Sequence, residues 1–181
     1  MVLAGRSVSG TLLAAAVAYG LISDIYDGVL TRRWNTATPS LRVSDSLADT
    51  VFYIGVTVTV WLRVPQAILG NKFLLGSLIA FELLRHVFDL FKFRRMASYH
   101  SYLAKAWGLL LALAVMLLFV TGNSGMVIKA ALWTGIVCNA EGLLMSLLLA
   151  KWHHDVRHLW AARELAKADG AFDRMAAGIR S

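Results

Sequence analysis

Five apolar runs, separated by short polar stretches, set the organisation of the chain. They fall at residues 8–30, 43–62, 67–91, 102–121 and 125–150. Each is close to the roughly 20 residues that an α-helix needs to span a bilayer core. From Lys151 onward charge alternates with Trp152, Leu159, Trp160 and Leu165, a pattern that predicts an amphipathic helix on a membrane surface. The expected fold is therefore all-α: a polytopic membrane helix bundle of about five transmembrane helices in residues 1–150, with an amphipathic tail in residues 151–181. The start of the first run, with Arg6 ahead of it and Ala16-Val17-Ala18 inside it, has some features of a cleaved leader. A membrane helix fits better, because cleavage there would leave Asp24 and Asp27 with no helix to hold them. Residues 31–42, with Pro39, read as a polar loop.

Composition supports this reading. Of 181 residues, 58% are hydrophobic, and the mean hydropathy is +0.62, which is too apolar for a soluble domain of this size. The 18 Lys and Arg against 11 Asp and Glu would suggest nucleic acid in a soluble protein. Here the bases lie between apolar runs, where topology and anionic lipid account for them, so no nucleic-acid partner is expected. Three of them lie in residues 31–42, five in 85–105 and six in the tail, against Arg6, Arg63, Lys72 and Lys129 on the opposite side. By the positive-inside rule the 31–42 connection and the C-terminus are cytoplasmic and the N-terminus is outside. The single Cys138 allows no intrachain disulfide and reads as packing.

Charge inside the apolar pattern carries the candidate chemistry. An ionised Asp at the centre of a membrane helix costs about 2.5–3.5 kcal/mol on insertion scales, so such residues usually have a function. Asp24 and Asp27 are three apart and Asp45 and Asp49 four apart, spacings that put each pair on one helix face. Four carboxylates brought together would repel unless a cation lay between them, and hard oxygen ligands suit Mg²⁺ or Mn²⁺ rather than zinc.

The stretch reads D-x2-D-G-x2-T-R-x8-L-x3-D-x3-D over residues 24–49. It resembles the signature of the CDP-alcohol phosphotransferase family, D-x2-D-G-x2-A-R-x8/9-G-x3-D-x3-D. Asp24, Asp27, Gly28, Arg32, Asp45 and Asp49 match; Thr31 stands where the family has Ala, and Leu41 where it has its second Gly. Family members usually carry the motif between their second and third helices, and here it joins the first run to the second, so the expectation is either a start placed too late or a shortened member. The resemblance implies transfer of a substituted phosphate from a CDP-linked donor to an alcohol, with release of CMP. It implies a two-metal Mg²⁺ or Mn²⁺ site on Asp24, Asp27, Asp45 and Asp49, with Asp49 also the candidate base. Gly28, Thr31 and Arg32 would face the CDP moiety. CDP-diacylglycerol is the expected donor, phosphatidylglycerophosphate-type synthesis the first guess for the reaction, and a homodimer the expected assembly. The expected location is a bacterial-type inner or cell membrane, with the active site on the cytoplasmic side. Leu41 and the absent helix leave a catalytically inactive homologue as the alternative, and a small cation carrier as a weaker one.

Other polar residues have plainer readings beside functional ones. Glu82, Arg85, His86 and Asp89 share one helical face, where Arg85 and Asp89 would pair with each other, or the face would line the acceptor pocket. Ser98-Tyr99-His100-Ser101 and Lys105 lie where the family tends to hold a phosphorylated acceptor, making His100, Ser101 and Lys105 candidates; Lys105 would equally snorkel to headgroups. Asn139 and Glu141 are expected to hydrogen-bond across helices. His153, His154 and His158 lack the companions of a zinc site and read as interfacial.

Overall fold

The computed structural model describes residues 9–34, 39–95, 99, 101–123, 125–153 and 156–178; the side chains at 28, 31, 32, 39–47, 49, 50 and 171–178 lie outside that description. The described residues form seven helices and no strand: α1 Gly10–Trp34, α2 Pro39–Arg63, α3 Pro65–Leu69, α4 Lys72–Phe93, α5 Tyr102–Thr121, α6 Gly125–Leu148 and α7 Leu159–Gly178. Among the described residues each of the five apolar runs is mainly helical. Among the described residues α5 and α6 are long and apolar enough to cross a membrane, while α1, α2 and α4 are as long but carry charge. Large apolar side chains such as Phe73, Phe91 and Leu62 are exposed, as expected where the neighbouring solvent is hydrocarbon.

Three boundaries depart from the sequence reading. The polar loop expected at 31–42 is largely helix: α1 continues to Trp34 and α2 begins at Pro39. Arginines are good helix formers, and proline is favoured at the first helical position, where no N–H is needed. Asp24 and Asp27 therefore lie within α1 rather than at its exit. The third run is broken at Gly70-Asn71 into α3 and α4. Residues 151–153 and 156–158 are not helical, so the tail helix starts later than the charge pattern suggested.

Two compact units make up the chain: residues Met1–Lys72 with Leu111–Ile128, and Phe73–Leu110 with Lys129–Ser181. In the first, the Ser9 hydroxyl accepts the Leu12 N–H at 3.2 Å and caps α1. Ala14 and Val17 of α1, Val60 of α2, and Val115, Leu118 and Phe119 of α5 form its core, the i, i+3, i+4 spacing of one helical stripe. Pro65 cannot donate the N–H that would continue α2, and it opens α3 instead. Two glycines set close approaches. A Cβ on Gly10 would lie 1.9 Å from the Phe119 carbonyl oxygen, and one on Gly20 2.6 Å from the Phe52 ring.

In the second unit, α6 buries a stripe that includes Ala131, Gly135, Cys138, Asn139, Gly142, Met145 and Ser146. Small residues there let neighbours pack against the α6 backbone. A Cβ on Gly135 would come within 2.6 Å of Trp107 Nε1, and one on Gly142 within 2.8 Å of Arg85 Cδ. A second core of Tyr99, Met145, Leu149, Val156 and Ala162 docks the C-terminal segment onto this unit. His158 caps α7, its Nδ1 accepting the Ala161 N–H at 3.0 Å.

Candidate functional site

Asp24 and Asp27 lie on α1 and both are exposed. Three residues apart on a continuous helix, they are neighbours on one face. Asp24 is engaged in an interaction. Asp45 and Asp49 lie four apart in the first half of α2, and their side chains lie outside the described residues, as do those of Thr31 and Arg32 and the surroundings of Gly28. Among the described residues no three His, Cys, Asp or Glu groups come together as a metal site. Only the α1 half of the acidic set is open to description. Those two carboxylates are accessible, hard oxygen donors, which fits Mg²⁺ or Mn²⁺.

The two helices that carry the aspartates also share an apolar groove. It measures about 240 Å³ and is lined by Leu13, Ala16 and Val17 of α1, residues of α2 from Val51 to Thr59, and Phe119. The one side-chain hydroxyl among the lining residues, that of Thr59, donates to the Gly55 carbonyl at 2.7 Å. Val17 is seven residues from Asp24 and Val51 two from Asp49, about 10 Å and 3 Å along helices rising 1.5 Å per residue. The groove thus begins within about two turns of the acidic positions, on the same pair of helices.

The expected acceptor residues belong to the second unit. His100 lies outside the described residues. Ser101 is buried and caps α5, its hydroxyl accepting the Ala104 N–H at 3.1 Å. Lys105 is exposed, with Nζ 5.8 Å from the centre of the Tyr102 ring.

A buried polar cluster that sequence spacing had assigned differently lies in the same unit. Arg85 and Asp89 form no ion pair with each other among the described residues. Asp89 is instead 1% exposed and accepts a hydrogen bond from the Ser146 hydroxyl on α6. With its proton committed to Asp89, Ser146 accepts from the Tyr99 hydroxyl at 3.1 Å. Burial pushes the Tyr99 phenol above its ordinary value. Arg85 lies along α6 at Gly142, and its buried Nε has no hydrogen-bond partner among the described residues. Helical spacing made Arg85 and Asp89 available to each other; the gap at Gly142 and the hydroxyl of Ser146 drew them to α6. Asn139 also departs from expectation: its amide donates to the Gly135 carbonyl of its own helix at 3.2 Å, not to another helix. Glu141 Oε2 has no hydrogen-bond partner among the described residues. Ser146 was not singled out from sequence, since a lone serine in an apolar run carries no signal until its neighbour is known.

Lys92 donates to the Ser146 and Leu147 carbonyls at 2.8 and 3.1 Å, capping the C-terminus of α6 with positive charge. His153 Nε2 pairs with Asp169 at 2.9 Å, and His158 Nδ1 caps α7; His154 lies outside the described residues.

A family model described as CDP-alcohol phosphatidyltransferase matches residues 1–141. No curated protein and no solved structure matches the chain.

Proposed function

The chain belongs to the CDP-alcohol phosphatidyltransferase family, and from that premise we propose that it moves a phosphatidyl group from CDP-diacylglycerol to an alcohol, releasing CMP. The observation that carries this reading is the groove. A lipid-linked nucleotide needs an anchor for its diphosphate and an apolar track for its chains on one wall, and α1 and α2 carry both the motif aspartates and the apolar lining.

Asp24, Asp27, Asp45 and Asp49 would hold Mg²⁺ or Mn²⁺. When bound, such ions neutralise charge on the diphosphate as the P–O bond breaks. Asp49 would take the proton of the acceptor hydroxyl, whose oxygen then bonds to the phosphatidyl phosphorus while the bond to CMP breaks and CMP leaves with the electron pair. Arg32 offers a planar fork for a phosphate, and Gly28 lets the nucleotide approach the backbone. The acceptor we favour is a glycerol phosphate, giving a phosphatidylglycerophosphate-type product, with the active face cytoplasmic by the distribution of Lys and Arg.

The test is CMP release from CDP-diacylglycerol by the purified protein with Mg²⁺ or Mn²⁺ and a panel of acceptors, with Asp49→Asn as control. Metal-dependent release with one acceptor, lost in the control, supports the reading and names the product. Leu41 in place of the motif's second Gly favours a second reading, a homologue that keeps the fold without turnover. Absence of release with every acceptor would select it.

A further inference from the structure

An aromatic and basic face lies where α5 begins and the C-terminal segment docks, all within the second unit. Tyr102, His158 and Trp160 stack in a row, with ring centres 6.4 and 6.5 Å apart and planes within 20°. Tyr102 and Trp160 are 59% and 70% exposed. The Tyr102 N–H donates to the Arg157 carbonyl at 3.1 Å, which fixes the docked segment against the start of α5. Lys105 lies over the Tyr102 ring and Arg95 over the Trp152 ring, each at 5.8 Å.

Among the described residues the cations of this face are not neutralised by carboxylates. Of the tail's described carboxylates, Glu164 is bonded by Lys167 and Asp169 by His153, both at 2.9 Å. Arg95, Lys105, Arg157 and Arg163 are all exposed and have no carboxylate partner among the described residues. Flat amphipathic rings beside unneutralised cations, at the end of an apolar helix 20 residues long, match the chemistry of a headgroup layer: rings at the level of the glycerol backbone, cations against phosphate.

We infer that this face binds anionic phospholipid headgroups of the surrounding bilayer in preference to zwitterionic ones, through Lys105, Arg157 and Arg163 beside the Tyr102–His158–Trp160 stack. The inference rests on α5 crossing a membrane and not on turnover, so it stands or falls separately from the proposed reaction.

The experiment titrates the full chain in neutral detergent with dioctanoyl phosphatidylglycerol or dioctanoyl phosphatidylcholine and follows Tm. Phosphatidylglycerol should raise Tm in a saturable way and phosphatidylcholine should not. Each cation near an anionic surface contributes enough that its removal weakens binding about fivefold. Arg157→Gln/Arg163→Gln should therefore weaken the apparent affinity for phosphatidylglycerol by about 25-fold. Should the double variant fail to fold, Arg163→Gln alone, on an exposed turn of α7, should weaken it about fivefold. Equal shifts with the two lipids, an undiminished response in Arg163→Gln, or the same shift from inorganic phosphate at equal concentration would overturn the inference.

Discussion

Asp89 on α4 and Ser146 on α6 are hydrogen-bonded partners 57 residues apart in sequence, and both are buried. The bond joins two helices through a kind of contact that strengthens when water is absent. Ser146→Ala removes the donor and leaves a buried carboxylate and the Tyr99 hydroxyl without their partner. It should destabilise the protein by about 2–3 kcal/mol. Asp89→Asn keeps an acceptor for Ser146 and should cost less. Thermal unfolding in detergent compares the two, and equal losses would contradict the assigned donor and acceptor.

Glycine substitutions should separate by what a new Cβ meets. Gly10→Ala puts that carbon 1.9 Å from a backbone oxygen of Phe119, which cannot rotate away, so a loss of about 3 kcal/mol is expected. Gly142→Ala presses on the flexible Arg85 side chain and should cost about 1–2 kcal/mol. Gly55→Ala and Gly76→Ala meet nothing within 4 Å and should stabilise by up to about 1 kcal/mol through helix propensity. Ranking the four Tm values checks the packing of both units.

Activity should separate from stability at the motif. Asp27 is exposed on α1, so Asp27→Asn should leave the unfolding free energy within about 0.5 kcal/mol of the parent while abolishing CMP release. Asp49→Asn should lower the rate by about 10²–10⁴-fold, the usual contribution of a positioned base. A loss of Tm matching the loss of activity in Asp27→Asn would assign that residue to structure instead.

Tyr99 supplies a pH signature. Its phenol is raised by burial, so the folded state holds the proton to higher pH than the unfolded chain does. Stability is then insensitive to this group below the ordinary tyrosine value of about 10. Above that value it falls, until the folded-state value is passed. Ultraviolet titration should show a phenolate appearing late, and Tyr99→Phe should remove that late component.

Much of the fold was legible in the pattern of apolar runs, because a helix in lipid must satisfy its own backbone hydrogen bonds, and that requirement is written locally. The boundaries that failed did so for local reasons too: Pro39 begins a helix as readily as it marks a loop, and Gly70-Asn71 interrupts a run whose hydropathy is continuous. Of the acidic motif, spacing on a helix fixes only which carboxylates are neighbours on that helix; the side chains of Asp45 and Asp49 lie outside the described residues. Tertiary structure alone decided the partners of the buried polar groups. Arg85 and Asp89, one turn apart, were candidates for each other by sequence; the space at Gly142 and the hydroxyl of Ser146 became available only once α6 packed beside α4. Likewise the ring stack of Tyr102, His158 and Trp160 joins residues more than fifty positions apart. Sequence determines which groups a helix presents, whereas desolvation forces each buried group to find a partner, and which partner is in reach depends on how the helices pack.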